Sequence, residues 1–305
     1  MAVYVIGSMN IDMFFDVDHF VRPKETLMPV HSEVLPGGKG LNQACACARA
    51  GAKTRMAGKA GSDGQLLTDT LKAAGVDTSF VDIQSGGLSG RAIIQRDPDA
   101  ENCILLVPGT NHDFKKADFE RILRFVDKDD IVLIQNEISN LKDLAACLQE
   151  KDCFVVFNPA PVTKDIPDDL SFVSCLVANE VEIEQLLKTT GDPQTLCAQW
   201  QNRYPGSSIV LTLSSKGSLY MDGKRTLFMP AYRVEAKDTT GAGDTYTGYY
   251  CAMLDQGRSI EDALQYASAA AALAVTRSGA ASSIPDLEDV KQMIGENEKI
   301  SPVAL

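Results

Sequence analysis

The sequence predicts an α/β protein with a mostly parallel central sheet. Two patterns carry that prediction: short, continuously apolar β-branched runs, and helical patterns that alternate with them. The runs are 4–7, 130–135, 154–158, 172–178 and 209–213, and their lack of polar alternation marks strands covered on both faces. Between them, residues 116–126, 141–150 and 181–188 repeat apolar side chains every three or four positions, the spacing of one helix face.

Two excursions break the rhythm. Residues 13–35 and 90–108 are strand-like, with turn signals such as Asp97-Pro98-Asp99 and no helix between strands. They read as parts of one small antiparallel sheet inserted as a lid on a single domain spanning 1–305; edge hairpins of the main sheet are the alternative. In the last third, 244–256 closed by Gly257 and 259–275 opened by Ser259-x-x-Asp262 read as consecutive helices. The alanine run 267–272 in the second suits close approach to a neighbouring helix or to a flat ligand.

Composition narrows the function. The 305 residues are 45% hydrophobic and 23% charged, enough for a core that needs no metal or disulfide staples. A net charge of −12 disfavours nucleic acid or an anionic membrane as partner and leaves small molecules. The eight cysteines form no C-x-x-C pair and are expected as buried free thiols. No apolar run approaches eighteen residues and no signal-peptide pattern opens the chain, so a reducing cytoplasm is expected. His19, His31 and His112 read as solvated loop residues, which leaves acid–base chemistry to carboxylates.

Three segments combine glycine with polar side chains. Asp238-Thr239-Thr240-Gly241-Ala242-Gly243-Asp244 follows a strand-like stretch and opens a helix, so amides and the positive helix end suit an anion. Asp244, in the first turn, is placed to take a proton from a hydroxyl attacking that anion, or else is an acidic helix cap. Gly37-Gly38-Lys39-Gly40 precedes a small-residue helix at 41–50 with Asn42 in its first turn. That set suits a hydroxyl-rich ligand, or is a glycine turn with a solvated lysine. Asn10 and Asp12, two residues apart after the first strand, share a face and either grip vicinal hydroxyls or shape a turn. Neither a Walker-A loop nor a Rossmann glycine fingerprint occurs.

Taken in order, these segments resemble the ribokinase-like (PfkB-type) sugar kinases over essentially the whole chain. The motifs are Gly7-Ser8-Met9-Asn10-Ile11-Asp12, Gly37 to Gln43, Asn158-Pro159-Ala160-Pro161, Asn179-Glu180-Val181-Glu182 and Asp238 to Asp244. The resemblance implies a three-layer α/β/α sandwich with an inserted β-sheet lid. It implies transfer of the γ-phosphate of ATP to a primary hydroxyl of a free sugar, D-ribose first, with 2-deoxyribose, another sugar, a nucleoside or a sugar phosphate as alternatives. A non-catalytic sugar sensor is the other class, and the presence of Asp244 argues against it.

By resemblance, Asn10, Asp12, Gly38, Lys39, Asn42 and Glu137 hold the sugar, Asp244 is the base, and Gly241, Ala242 and Gly243 form the anion cradle. Asn179, Glu182, Thr212, Ser214, Gly217, Gly243 and Ser268 face the nucleotide, with Glu182 organising Mg2+ through water. The side chains of Asp238 and Ser283, with carbonyls of Thr240, Ala274, Arg277 and Gly279, surround K+. A homodimer through the lid is implied as well. Ser268 stands where such kinases carry a larger polar side chain near adenine, and Thr240-Gly241 replaces an apolar-Ala pair.

Overall fold

The computed structural model describes residues 1–99 and 101–305. The chain opens with β1 (Val3–Ile6), β2 (Asn10–Asp16) and β3 (His31–Gly37), followed by α1 (Lys39–Arg49), β4 (Thr54–Ala57), β5 (Lys59–Gly61) and α2 (Gln65–Ala73). Next come β6 (Asp82–Gln84), β7 (Gly90–Arg96), β8 (Asn102–Val107), α3 (Lys116–Leu123), β9 (Ile131–Gln135), α4 (Leu141–Gln149), β10 (Phe154–Asn158) and β11 (Cys175–Asn179). It continues through α5 (Glu180–Leu187), α6 (Pro193–Arg203), β12 (Ser208–Thr212), β13 (Gly217–Met221) and β14 (Thr226–Pro230). The helices α7 (Ala242–Asp255), α8 (Ile260–Ala274) and α9 (Leu287–Glu296) precede a short β15 (Val303–Ala304).

The main sheet has the order β15-β14-β13-β12-β11-β10-β9-β1-β4. From β4 to β12 every pairing is parallel, and β13, β14 and β15 extend it antiparallel. Successive strand residues feed opposite cores. Val3 and Val5 pack with α1, α7 and α8 on one side, while Tyr4 and Ile6 pack with α3, α4 and α6 on the other. That division is the three-layer sandwich, and it explains the continuously apolar runs: both faces of each strand are covered.

The small sheet has the order β3-β2-β7-β8. It differs from expectation in two ways. It starts at Asn10 rather than Met13, and it is mixed, because β2 pairs parallel with β7 from Asn10↔Gly90 to Asp16↔Arg96. Only the flanking hairpin-like pairs β2–β3 and β7–β8 are antiparallel. One face buries Phe14, Ala92 and Ile94.

Five cysteines are buried as expected, but Cys103 is exposed on β8 and Cys147 and Cys153 are only partly covered; all eight are free. The α8 alanines Ala267, Ala269 and Ala270 are wholly buried in the core shared with α7, which is the helix-packing use of small residues. Its N-cap Ser259 accepts the Asp262 amide at 3.0 Å. Among the described residues no helix is long and apolar enough to cross a membrane.

Candidate active site

The parallel strands end along one edge of the main sheet, and their last residues or the residues just beyond supply polar groups: Ser8 after β1, Glu137 after β9, Asn158 on β10, Asn179 on β11 and Thr212 on β12. Open α/β sheets bind ligands at this edge. Onto it the fold brings the N-termini of α1 and α7.

Asp244 lies in the first turn of α7, whose N-cap Gly241 has φ 73°. A Cβ at Gly241 would stand 3.0 Å from Ala280 Cα, so the left-handed turn and the close approach both call for glycine. The amides of Gly243 and Asp244 have no protein partner among the described residues, leaving donors open at the positive end of a 14-residue helix. The Asp244 carboxylate is buried and held at both oxygens: Asn42 Nδ2 donates to Oδ2 and Gln43 Nε2 to Oδ1, each at 2.9 Å.

On the sugar side of the sequence reading, Asn10 and Asp12 stand at alternate positions of β2, both buried. Asn111 locks Asn10 by donating to its Oδ1 at 2.7 Å, and it also accepts the Met9 amide at 3.0 Å. Glu137 accepts from the Ser8 hydroxyl at 2.5 Å and from the Lys39 amide at 3.2 Å. Gly38 has φ 91° and Gly40 packs its Cα where a Cβ would meet Gly7 C at 2.6 Å, which draws α1 against the end of β1. Three buried acceptors here, Asp12 Oδ1, Asn42 Oδ1 and, behind them, Gln135 Oε1, have no donor among the described residues. Donor-less buried acceptors suit a ligand bearing hydroxyl protons.

The electrostatics follow from crowding. Burial, helped by the charges of Glu137 and Asp244, pushes the Asp12 carboxyl up to about 7. Burial likewise raises Glu137, against the pull of Lys39 and Ser8. For Lys39 burial acts to lower the ammonium, but Asp244, Glu137 and Glu182 outweigh it and raise it, so this lysine is the positive charge balancing three carboxylates.

A cleft of about 160 Å³ continues from Lys39 and Asp244 past Gly241 and Gly243 to Asn179, Glu182 and Thr212. Asn179 caps α5 by accepting the Glu182 amide at 2.8 Å, and its own amide group donates to Glu182 Oε1 at 2.9 Å. Burial raises Glu182 over the opposing bonds from Asn179. Ser214 (φ 53°) and Gly217 (φ 127°) form the turn after β12. Ser268 lies apart from the lining of this cleft, its hydroxyl 3.3 Å from the Pro230 carbonyl. A second cavity of about 480 Å³ opens between Asn10, Asn111 and Glu137.

Below the α7 turn, Asp238 accepts the Thr240 amide at 2.9 Å and the Gly279 amide at 2.8 Å, bonds that lower its carboxyl despite burial. Ser283 is wholly buried and donates to the Ala280 carbonyl at 2.8 Å. Ala274 O accepts the Arg277 amide at 3.0 Å, and the Arg277 guanidinium pairs with Asp289. Among the described residues no three His, Cys, Asp or Glu side chains gather as a metal site.

Gln43, Gln135, Asn111 and Ser8 were not singled out from the sequence as functional. A polar Gln43 inside the alanine- and cysteine-rich helix 41–50 is the one such signal that was legible.

A buried carboxylate beside an open helix N-terminus, with donor-less acceptors next to it, fits a phosphotransferase acting on an alcohol group of a sugar. The chain matches the pfkB family carbohydrate kinase model over residues 2–287 and belongs to that family. It is 32% identical over 296 residues to the ribokinase of Bacillus subtilis, covering 96% of this chain and 99% of the relative. It is 30% identical over 311 residues to the deoxyribokinase of Salmonella typhi, covering 98% and 100%. Its fold is similar to that of Arabidopsis thaliana ribokinase complexed with ribose and ATP, with a TM-score of 0.86, 27% identity, and coverage of 96% and 99%.

Proposed function

We propose that the protein transfers the terminal phosphoryl group of ATP to the primary hydroxyl of D-ribose, giving ribose 5-phosphate. The observation that carries this reading is Asp244: its carboxylate is fixed by two amides, beside open backbone donors and within reach of the same Lys39 that faces Glu137. Ribokinases among its relatives, one of them complexed with ribose and ATP, support the choice of sugar and donor.

In this reading Asn10, Asp12, Gly38, Lys39, Asn42 and Glu137 bind the sugar hydroxyls. Asp244 accepts the proton of the attacking hydroxyl and later releases it to solvent. The open amides of Gly243 and Asp244, in the turn shaped by Gly241 and Ala242, take up negative charge as it develops on the transferring group, while the Ala242 amide is held by the Thr239 carbonyl at 3.3 Å. Asn179 and Thr212 line the nucleotide cleft and Ser214 and Gly217 form the turn just beyond it, whereas Ser268, bonded to the Pro230 carbonyl, stands outside the lining. Magnesium, when bound, neutralises phosphate charge; the sparse protein carboxylates fit an ion held mainly by phosphate and water, with Glu182 ordering that water. Asp238, Ser283 and the carbonyls of Thr240, Ala274, Arg277 and Gly279 offer only oxygen, which fits K+. Asp238 already ties the Thr240 turn to Gly279, so a cation there would stiffen the anion cradle.

The small sheet acts as a lid that excludes water from the sugar. Its edge strand β8 leaves Ile104, Leu105, Leu106 and Val107 exposed, an unpaired apolar edge that a second copy of this chain would cover. Eight free thiols support a reducing, cytoplasmic setting.

The test is ADP release with ATP and Mg2+ against ribose, 2-deoxyribose and adenosine, with and without K+. Ribose is expected to give the highest kcat/KM. The deoxyribokinase likeness favours 2-deoxyribose as the second reading, and turnover with neither pentose overturns both.

A further inference from the structure

The Asp244 carboxylate is wired to the ends of two central strands by a chain of buried amides. Gln43 is completely buried, and its Nε2 donates to Asp244 Oδ1 at 2.9 Å and to Asn158 Oδ1 at 3.2 Å. Its Oε1 accepts from Nε2 of the equally buried Gln135 at 2.7 Å. Asn158 in turn donates to the Val177 carbonyl at 2.9 Å. Every polar atom of the Gln43 amide is therefore used, and both ends are of fixed sense: acceptors on the nitrogen side, a donor on the oxygen side. A flipped amide would set oxygen against the Asp244 carboxylate and nitrogen against the Gln135 nitrogen.

We infer that Gln43 is a positioning residue for the Asp244 carboxylate, acting as the middle link of a Gln135–Gln43–Asp244 relay. The relay sets which oxygen does the chemistry. Oδ1 faces the interior, tied through Gln43 to the β9 and β10 ends. Oδ2 lies on the side of Asn42, a residue of the sugar site with a spare buried acceptor of its own, and is the oxygen that receives the hydroxyl proton. Neither glutamine lines the cleft at Asp244 or the cavity at Asn10, so the relay works on the base alone. Its consequence is a division of labour: Asn42 answers to the bound sugar, and Gln43 holds the carboxylate plane whether or not sugar is present.

This inference rests on the kinase reading above and is tested so that the two fail separately. Steady-state ADP release and ribose binding by calorimetry are measured for the wild type, Gln43→Leu, Gln135→Leu and the double variant. A lost charge-assisted bond to a reacting group costs about tenfold to a hundredfold in rate. Gln43→Leu is expected to lose that factor in kcat with ribose Kd changed less than about threefold. Gln135→Leu should lose less, and the double variant no more than Gln43→Leu alone, because two links of one relay are not additive. Wild-type kcat in Gln43→Leu, a loss confined to ribose affinity, or additive losses in the double variant overturns the relay. Should Gln43→Leu fail to fold, Gln43→Glu decides. It keeps the shape but turns the donor into an acceptor facing Asp244, so it must lose more kcat than Gln135→Leu, and equal or smaller loss overturns the inference. A wild type without ribose turnover overturns the kinase assignment instead.

Discussion

Asp12→Asn should make the protein more stable at neutral and alkaline pH while weakening its hold on sugar. Asp12 is buried on β2 against Gly37, with Oδ1 lacking a donor, and burial together with the charges of Glu137 and Asp244 pushes its carboxyl from 3.8 up to about 7. That displacement corresponds to about 4 kcal/mol of preference for the neutral acid in the folded chain, at ~1.4 kcal/mol for each tenfold. The raised value fixes the sign. Below about pH 4 the group is protonated whether the chain is folded or unfolded, and its full contribution to stability is present. As pH rises from about 4 to 7 the unfolded chain ionises first, so stability is lost, and the loss is complete once the folded carboxyl has ionised. An asparagine has no such loss. Urea unfolding of the wild type and Asp12→Asn at pH 4.5 and pH 8 should therefore show their difference moving in favour of the variant by a few kcal/mol. Calorimetry at pH 8 should show ribose affinity at least about tenfold weaker in the variant, since an ionised acceptor of hydroxyl protons has been replaced by a neutral amide. Parallel stability curves for the two proteins would refute the argument that Asp12 is a strained, ligand-awaiting carboxylate.

Three further outcomes are expected. Asp244→Asn should lower kcat by at least ~10²-fold with ribose binding retained, because the amide fits the same space but cannot accept the hydroxyl proton; unimpaired turnover removes Asp244 from the role of base. Gly248→Val should cost roughly 1–3 kcal/mol in urea unfolding and depress kcat as well, since a Cβ there would stand 2.4 Å from Ala46 Cβ and 2.7 Å from the Gln43 carbonyl, forcing α7 off α1. On the pairing through β8 proposed above, light scattering should give a dimer for the wild type and a monomer for Leu105→Lys with the unfolding midpoint not lowered, and a monomeric wild type or an unchanged mass in the variant overturns that pairing.

The parallel layers were legible because burial on both faces leaves its mark on a strand's own residues: 154–158 is β10 to the residue, and 4–7 and 209–213 each miss by one. The antiparallel extension β13 to β15 and the strand β4 carried weaker marks: β4 contains Thr54 and Arg55, β13 opens on Gly217-Ser218, β14 is fully buried only at alternate residues, and β15 has two residues. The direction of β7 was beyond local pattern, because parallel and antiparallel pairing use the same alternation of residues. Site residues divide in the same way. Those in glycine-flanked motifs could be read off because glycine announces where backbone must turn or approach. Asn111 and Gln135 could not, since a lone amide becomes functional only through partners more than ninety residues away.

The smallness of the helix at 41–50 has a cause that ties fold to chemistry. Ala46 and Cys47 on α1 meet Gly248 on α7, and that missing side chain lets Cys47 Sγ come 3.3 Å from the Gly248 carbonyl. Two helices that touch backbone to backbone are fixed relative to one another far more tightly than helices separated by flexible side chains. One turn further toward their N-termini the same contact sets Asn42 and Gln43 at 2.9 Å from Asp244. Asp244 is thus placed by helix packing, Asn10 and Asp12 by a separate sheet, and the open amides by the first turn of α7. No residue of that sheet bonds to Asp244, so on the lid reading proposed above its closure over a sugar would leave the distance between Asp244 and the α7 amides unchanged.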